Sequence, residues 1–295
     1  MQTLDVKKIL IPTDFSETAD LALEHAIHMA KISSAEIHLL HVVSSFSFRV
    51  NLPEGETEDL QNANLSNAVS NRLKQIADDI EQKHGVKVHI SMASGSIKTE
   101  VVKLADQIDA DIIILGTHGV SGLKEFFMGS NAFRIISDAD CPVLSVQKNA
   151  TQLGFKNLIV PIDNSFHSRE KLGISVKIAK TYGSTIHICG LRSHDHNDDD
   201  LNAKFRMKMK QVDDYLTEKE IPFTSEIIFC SNIANATMDF AKEKNGDLII
   251  IMNEQEVNAV GWFLGPYAQQ VVNHSVVPVL SIRPSQGVVS SVTPY

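Results

Sequence analysis

The chain has 295 residues, 43% of them hydrophobic, which is enough for two domains of ordinary size with a core each. Lys and Arg number 27 against 36 Asp and Glu, a net charge of −9, so the whole-molecule field repels nucleic acid and anionic membrane and a small polyanion must be held by a local device. Cys141, Cys189 and Cys230 lie far apart, with no C-x-x-C and each in or beside an apolar run, which argues against a disulfide framework and for a reduced, cytoplasmic protein.

The opening Met1–Lys8 lacks a charged-then-apolar signal pattern, and no apolar run approaches the roughly 18 residues of a spanning helix, so neither export nor membrane insertion is expected. Lys8-Ile9-Leu10-Ile11 is a nearly continuous apolar run, the pattern of a strand buried on both faces of a parallel sheet. Behind Pro12-Thr13-Asp14 and a candidate Ser16 cap, Ala19, Ala22, Leu23, Ala26, Ile27 and Ala30 recur at helical spacing. A second apolar run covers Ile37 to Val43. Ser44 to Asn64, with its Pro53-Glu54-Gly55 turn signal, lacks periodicity and is predicted to be a long loop able to cover a ligand. Helical stripes return at Ala68, Leu73, Ile76, Ala77 and Ile80, and at Val101, Val102, Leu104, Ala105 and Ile108. Ile112 to Leu115 then reads as a strand leading into Gly116-Thr117-His118-Gly119, and Gly129-Ser130-Asn131 should open a helix through Phe133, Ile135 and Ile136.

The same order recurs. Ile9 to Ser16 aligns with Leu158 to Ser165, and Ile37 with Ile186, both at an offset of 149; Asp111 aligns with Asp247 and Pro142-Val143-Leu144-Ser145 with Pro278-Val279-Leu280-Ser281, at an offset of 136. The halves therefore differ by 13 residues, 149 less 136, between their second and fourth strands. Each half predicts βαβαβαβαβ, a doubly wound α/β domain, with domains at 1–150 and 151–295 and a boundary near Gln147 to Lys156. The two terminal strands, Pro142 to Val146 and Pro278 to Arg283, would otherwise be apolar edges and are expected to pair with each other. His194-Asp195-His196-Asn197-Asp198-Asp199-Asp200 occupies the place of the long loop in the second half. Solvation of an acidic loop explains it better than a metal site, since nothing fixes a coordination geometry. No other metal site is expected either: His38 and His41, three apart in a strand, point to opposite faces. The tail Ser285 to Tyr295 has no periodicity and reads as an extended arm or a disordered one.

Ligands of an open parallel sheet bind beyond the carboxyl ends of its strands. That edge should collect Thr13 and Asp14 after the first strand, Val42 and Val43 at the end of the second, and Gly116 to Gly119 after the fourth. Gly116 and Gly119 would allow positive φ and close backbone approach to a phosphate. Gly129, Ser130 and Asn131 would present helix N–H groups and a hydroxyl to the same anion. Asp14 cannot hold a phosphate on charge grounds, which leaves it ribose, adenine, or simply the cap of the next helix.

Gly116-x2-Gly119-x9-Gly129-Ser130 together with Pro12-Thr13-Asp14 resembles the nucleotide-binding branch of the universal stress protein family, and the duplicated chain resembles its tandem members almost end to end. The resemblance implies two tandem five-stranded parallel sheets with helices on both faces, and ATP as ligand, with or without Mg²⁺. Position by position it implies that Pro12, Thr13, Asp14 and the Val42 backbone meet ribose and adenine, while Gly116, Gly119, Gly129, Ser130 and Asn131 meet phosphates. It further implies an antiparallel pseudo-twofold pairing of the halves, with a homodimer of full chains as a further option. The second half keeps Asp163 and Gly265 but carries Met252, Gln255 and Pro266 where the first has Gly116, Gly119 and Ser130, which predicts one ATP per chain. Three functions stay open at this point: a cytoplasmic ATP-binding stress-response sensor or regulator, a slow ATP-hydrolysing enzyme, and an interaction scaffold with incidental nucleotide. Against the enzyme, there is no G-x-x-x-x-G-K-[ST] run.

Overall fold

Ile9, Leu10 and Ile11 are wholly buried in β1 (Lys8–Pro12), which lies parallel between β2 (Glu36–Val43) and β4 (Ile112–Gly116). Burial on both faces is why the run is continuous and not alternating. The structure is a computed structural model that describes residues 4–43, 58–117, 129–193, 199–253, 255–258 and 261–284. The first half continues with α1 (Glu17–Ser33), α2 (Glu58–His84), β3 (Val88–Ser94), α3 (Ile97–Gln107), α4 (Ser130–Asp138) and β5 (Val143–Val146). The second repeats it with β6 (Asn157–Ile162), α5 (Leu172–Tyr182), β7 (Thr185–Ser193), α6 (Asp199–Glu218), β8 (Phe223–Cys230), α7 (Ile233–Glu243), β9 (Leu248–Met252), α8 (Pro266–His274) and a last strand at Val279–Ile282. A short hairpin, β10 (Gln255–Asn258) and β11 (Gly261–Leu264), precedes α8, which makes the last strand β12.

One ten-stranded sheet runs through the molecule in the order β3-β2-β1-β4-β5-β12-β9-β6-β7-β8. Every pairing in it is parallel except the central one, where β5 and β12 run antiparallel with Leu144 opposite Leu280. The terminal strands thus pair as the sequence predicts: an apolar edge such as Val143-Leu144 is buried only if another strand covers it. The sheet carries an apolar layer on each face, and each layer draws on both halves. On one face α1 and α5 meet across the centre, where Phe155 packs edge-on to Tyr182, His28 stacks on the same ring, and His25 Nε2 reaches the Ala150 carbonyl at 2.9 Å. Burial there holds both His25 and His28 below the ordinary imidazole value. Asn253, wholly buried, carries an amide hydrogen bond from the second half to the Ile136 carbonyl of the first.

Local signals act where expected. Ser16 caps α1 by accepting the Ala19 N–H, and α4 begins at Ser130 with Gly129 as its cap residue. Two predicted loops are shorter than read. Residues 58–64 form the first turns of α2, and Asp199 and Asp200 open α6, with Asp200 paired to Lys204 at 2.8 Å. Neither helix start shows an apolar period, since Glu58 to Asn64 holds Leu60 as its one large apolar residue and Asp199 and Asp200 are acidic. The remainder of both segments, 44–57 and 194–198, lies outside the described residues, as does the tail from 285. The β10–β11 hairpin was not legible in the sequence, since Gln255 to Leu264 lacks a two-residue turn signature of the Asn-Gly kind. Among the described residues no helix is long and apolar enough to cross a membrane.

Candidate functional site

The strand order 3-2-1-4-5 in the first half reverses direction between β1 and β4, so the cleft above their carboxyl ends is the topological switch point. β1 stops at Pro12. Thr13, buried, continues its line by donating its N–H to the Leu40 carbonyl at 2.8 Å, and its hydroxyl accepts the Phe15 N–H. Asp14 follows, half-buried, with Oδ1 accepting the Ser16 N–H at 3.1 Å. That bond turns the chain into α1. Phe15 carries the turn at φ 61, a left-handed conformation that costs a non-glycine residue about 1–2 kcal/mol. Its ring stacks on His41 at 4.8 Å, and His41 Nδ1 reaches the Thr13 carbonyl at 2.8 Å.

Val42 sits at the end of β2, buried. Leu40 sends its carbonyl to Thr13, and Val43 sends its own to Gly95 on the β3 side. Strand alternation therefore directs the Val42 carbonyl to the β1 side, above the point where β1 has ended.

On the other wall, Thr117 follows β4 and donates its N–H to the Val146 carbonyl at 3.0 Å, while its own carbonyl accepts the Gly129 N–H at 2.9 Å. This bond anchors the start of α4. Gly129, Ser130 and Asn131 are all exposed, no side chain caps the helix, and the first backbone bond back to Gly129 comes from Phe133. The Ser130, Asn131 and Ala132 N–H groups are thus the helix's orphan donors, the arrangement that attracts an anion. Pro12, Thr13, Asp14, Val42, Gly116, Gly129, Ser130 and Asn131 all lie at this one edge, as the sequence predicts. Gly119 and His118 lie outside the described residues.

Gly116 departs from its expected conformation. It does not have positive φ, and a Cβ there would lie 2.8 Å from the Thr18 carbonyl carbon and oxygen. The residue is glycine because the first turn of α1 presses against the end of β4. Gly129 also has negative φ, −58°, and a Cβ there would meet only the Thr117 oxygen at an ordinary 3.7 Å.

The second half has the same backbone plan with different contents. Gly265 opens α8 at φ −59 and ψ 153, close to the −58 and 143 of Gly129, and Pro266 then removes one of the orphan donors. Met252, in place of Gly116, is buried and lines a cavity of about 10 Å³ together with Asp163, Ser165, Lys171, Leu191 and Tyr267. That is room for about one water. Asp163 accepts the Ser165 hydroxyl at 2.7 Å and the Ser165 N–H at 3.0 Å, and Lys208 Nζ binds the Asp163 and Ser165 carbonyls. Burial alone would raise the Asp163 carboxyl, but the Ser165 hydrogen bond, the buried Lys171 ammonium and Ser168 outweigh it and hold the group below the usual carboxylate value. Lys171 and Tyr267 were not singled out in the sequence. Tyr267 stands at the position that matches Asn131 of the first half, whereas nothing in the sequence points to Lys171.

All three cysteines are free thiols, and burial pushes Cys141 and Cys189 up to about 12, so neither is an activated nucleophile.

Fold and strand-end site together define a duplicated, doubly wound α/β protein whose halves share one sheet. The family model described as the universal stress protein family matches residues 5–147 and again 154–283. The chain belongs to the universal stress protein family, as a tandem member. Universal stress protein MJ0531 of Methanocaldococcus jannaschii is 39% identical over 142 residues, 48% of this chain and 82% of its own length. MJ0577 of the same organism is 34% identical over 155 residues, 48% of this chain and 95% of its own. These relatives therefore match one repeat each. Across both halves, the crystal structure of a universal stress protein from Archaeoglobus fulgidus superposes with a TM-score of 0.73 at 21% identity, covering 94% of this chain and 98% of that one, a likeness of fold.

Proposed function

We propose that the first half binds one adenine nucleotide per chain, ATP with or without Mg²⁺, and that occupancy biases the shape or partner choice of a cytoplasmic stress-response regulator. The observation that carries the reading is the difference between the two strand-end sites. In the first, an uncapped and exposed α4 start lies at the same strand-end edge as Asp14 and the end of β2 at Val42 and Val43. In the second, Met252, Lys171 and Tyr267 leave about 10 Å³. Phosphate oxygens would take the orphan N–H groups of α4 and the Ser130 hydroxyl; Gly119, which the family resemblance adds to this set, lies outside the described residues. Asp14 and the Val42 carbonyl would accept from ribose hydroxyls and the adenine amine.

Calorimetric titration of the full chain with ATP is expected to saturate at one equivalent, and Gly129→Val to lose binding while keeping the wild-type unfolding midpoint. Saturation at two equivalent sites, or unchanged affinity in Gly129→Val, would overturn the assignment. Phosphate release measured with and without Mg²⁺ distinguishes a binder from a slow hydrolase.

A further inference from the structure

At the opposite end of the first half's sheet, Glu36 and His38 stand two apart on β2, hence on one face, and the parallel register sets His89 of β3 directly beside His38. His38 Nε2 lies 3.3 Å from Glu36 Oε1, and His89 Nε2 lies 3.1 Å from Glu36 Oε2. The two imidazoles stack at 4.6 Å, and one donor atom from each of the three residues falls within 4.8 Å of the others. We propose that Glu36, His38 and His89 form a divalent transition-metal site of the zinc class, with three protein ligands and a fourth position open to water.

The geometry fits that ion. Metal–ligand bonds of about 2.0–2.1 Å in a tetrahedron place neighbouring donors about 3.3 Å apart, and each imidazole already has one Glu36 oxygen near that distance, His38 Nε2 at 3.3 Å from Oε1 and His89 Nε2 at 3.1 Å from Oε2. Imidazole with carboxylate is a donor set that suits Zn²⁺, Cu²⁺ and Ni²⁺ over Ca²⁺ or Mg²⁺. The ligands sit on paired strands and not on a loop, so little ordering is needed. Binding would replace the two Nε2–H to carboxylate hydrogen bonds by two Nε2–metal bonds, each neutral ring carrying its proton on Nδ1 instead.

Two cations share the neighbourhood. Lys8 is held on the Ile108 carbonyl at 2.7 Å, and Lys87, largely exposed, reaches Glu36 Oε2 at 3.1 Å. Lys87 therefore competes with the metal for one carboxylate oxygen and can swing away. The second half supplies an internal contrast. His187 repeats His38, but Thr185 stands at the position of Glu36 and Thr224 pairs where His89 does, and His187 hydrogen-bonds to Thr224 and Asn157. A histidine that serves only the sheet is thus satisfied by neutral partners, whereas the first half brings two histidines to one carboxylate. Glu36 and Val42 are six residues apart along one strand, about 20 Å, so this site is separate from the proposed nucleotide cleft.

The test uses the full chain, stripped with chelator, and Zn²⁺ measured by competition with a chromophoric chelator. One tight equivalent is expected, weakened at least about tenfold in His89→Ala and in His38→Gln, since even losing an outer-shell partner costs about 10–100-fold. Lys87→Ala should tighten it several-fold. Co²⁺ should give the intense visible bands of a tetrahedral ion in the wild type and not in His89→Ala. Unchanged Zn²⁺ affinity in His89→Ala, or affinity that disappears in the double variant His194→Ala, His196→Ala, would overturn the assignment. Weak octahedral Co²⁺ bands would overturn it as well.

Discussion

Two glycines of one motif have different physical duties. Gly116→Ala would press a methyl into the Thr18 backbone, which cannot move without displacing α1, so it is expected to destabilise the protein by about 1–3 kcal/mol in urea unfolding. Gly129→Ala adds a methyl at ordinary contact distance and should stay within about 0.5 kcal/mol of wild type. Equal losses in the two variants would contradict this division. Asp163 offers a second test. Its folded value is held below the ordinary carboxylate value, so its contribution is present above the unfolded value of about 3.9 and is lost as pH falls through the folded one. Asp163→Asn should therefore cost stability at pH 7, by about 1–3 kcal/mol, and the gap to wild type should close under acid conditions. A gap that stays constant down to pH 3 would show that the carboxylate charge is not what Ser165 and Lys171 respond to.

The exchange of Gly116 for Met252 also accounts for a difference between elements. In the first half α1 starts one residue after Ser16 and packs its first turn on the end of β4. In the second, Met252 fills that space, the chain after Ser165 takes a short 3-10 turn at Phe166–Arg169, and α5 begins only at Leu172. Lys171 and Tyr267 then enter the space a ligand would need, Tyr267 by hydrogen-bonding its hydroxyl to Thr237 at 3.1 Å. Restoring glycine at 252 and 255 and serine at 266 returns the helix donor but leaves those side chains in place. The triple variant is expected to remain at one ATP equivalent per chain by calorimetry, and a rise to two would mean that the packing yields easily.

Across the whole molecule the β5–β12 pair joins two half-sheets into one. Leu144 and Leu280 are both nearly inaccessible, and Ser145 Oγ bonds the Val279 carbonyl across the pair at 3.1 Å. Leu280→Asp would bury a carboxylate there and is expected to cost more than about 3 kcal/mol, read as a lowered unfolding midpoint for both halves together. Ser281 is the reverse case. Its hydroxyl is buried without a hydrogen-bond partner, so Ser281→Ala should be neutral or stabilising by up to about 1 kcal/mol. If Ser281→Ala cost as much as Leu280→Asp, the seam would depend on groups other than these.

The sequence alone determined the duplication, the strand and helix alternation, the Ser16 cap, the residues gathered at one sheet edge and the loss of the glycine pattern in the second half, because each is written in local spacing or in the comparison of one half with the other. Apolar runs of four or five residues between turn residues and helical stripes suit strands buried on two faces, and a lost glycine or a gained proline is visible without coordinates. Other features depend on what lies across space. Gly116 is small because of Thr18, a residue 98 positions away in the chain, and not because its own φ requires it. Lys171 and Tyr267 occupy the second site through the packing of α5 and α8. His38 looked isolated beside His41, since a strand reveals its faces but not its neighbour. Only the register of β2 against β3 set His89 and Glu36 at its side. Period and composition act along the chain, while contact, register and the filling of a cleft are decided by which elements the fold brings together.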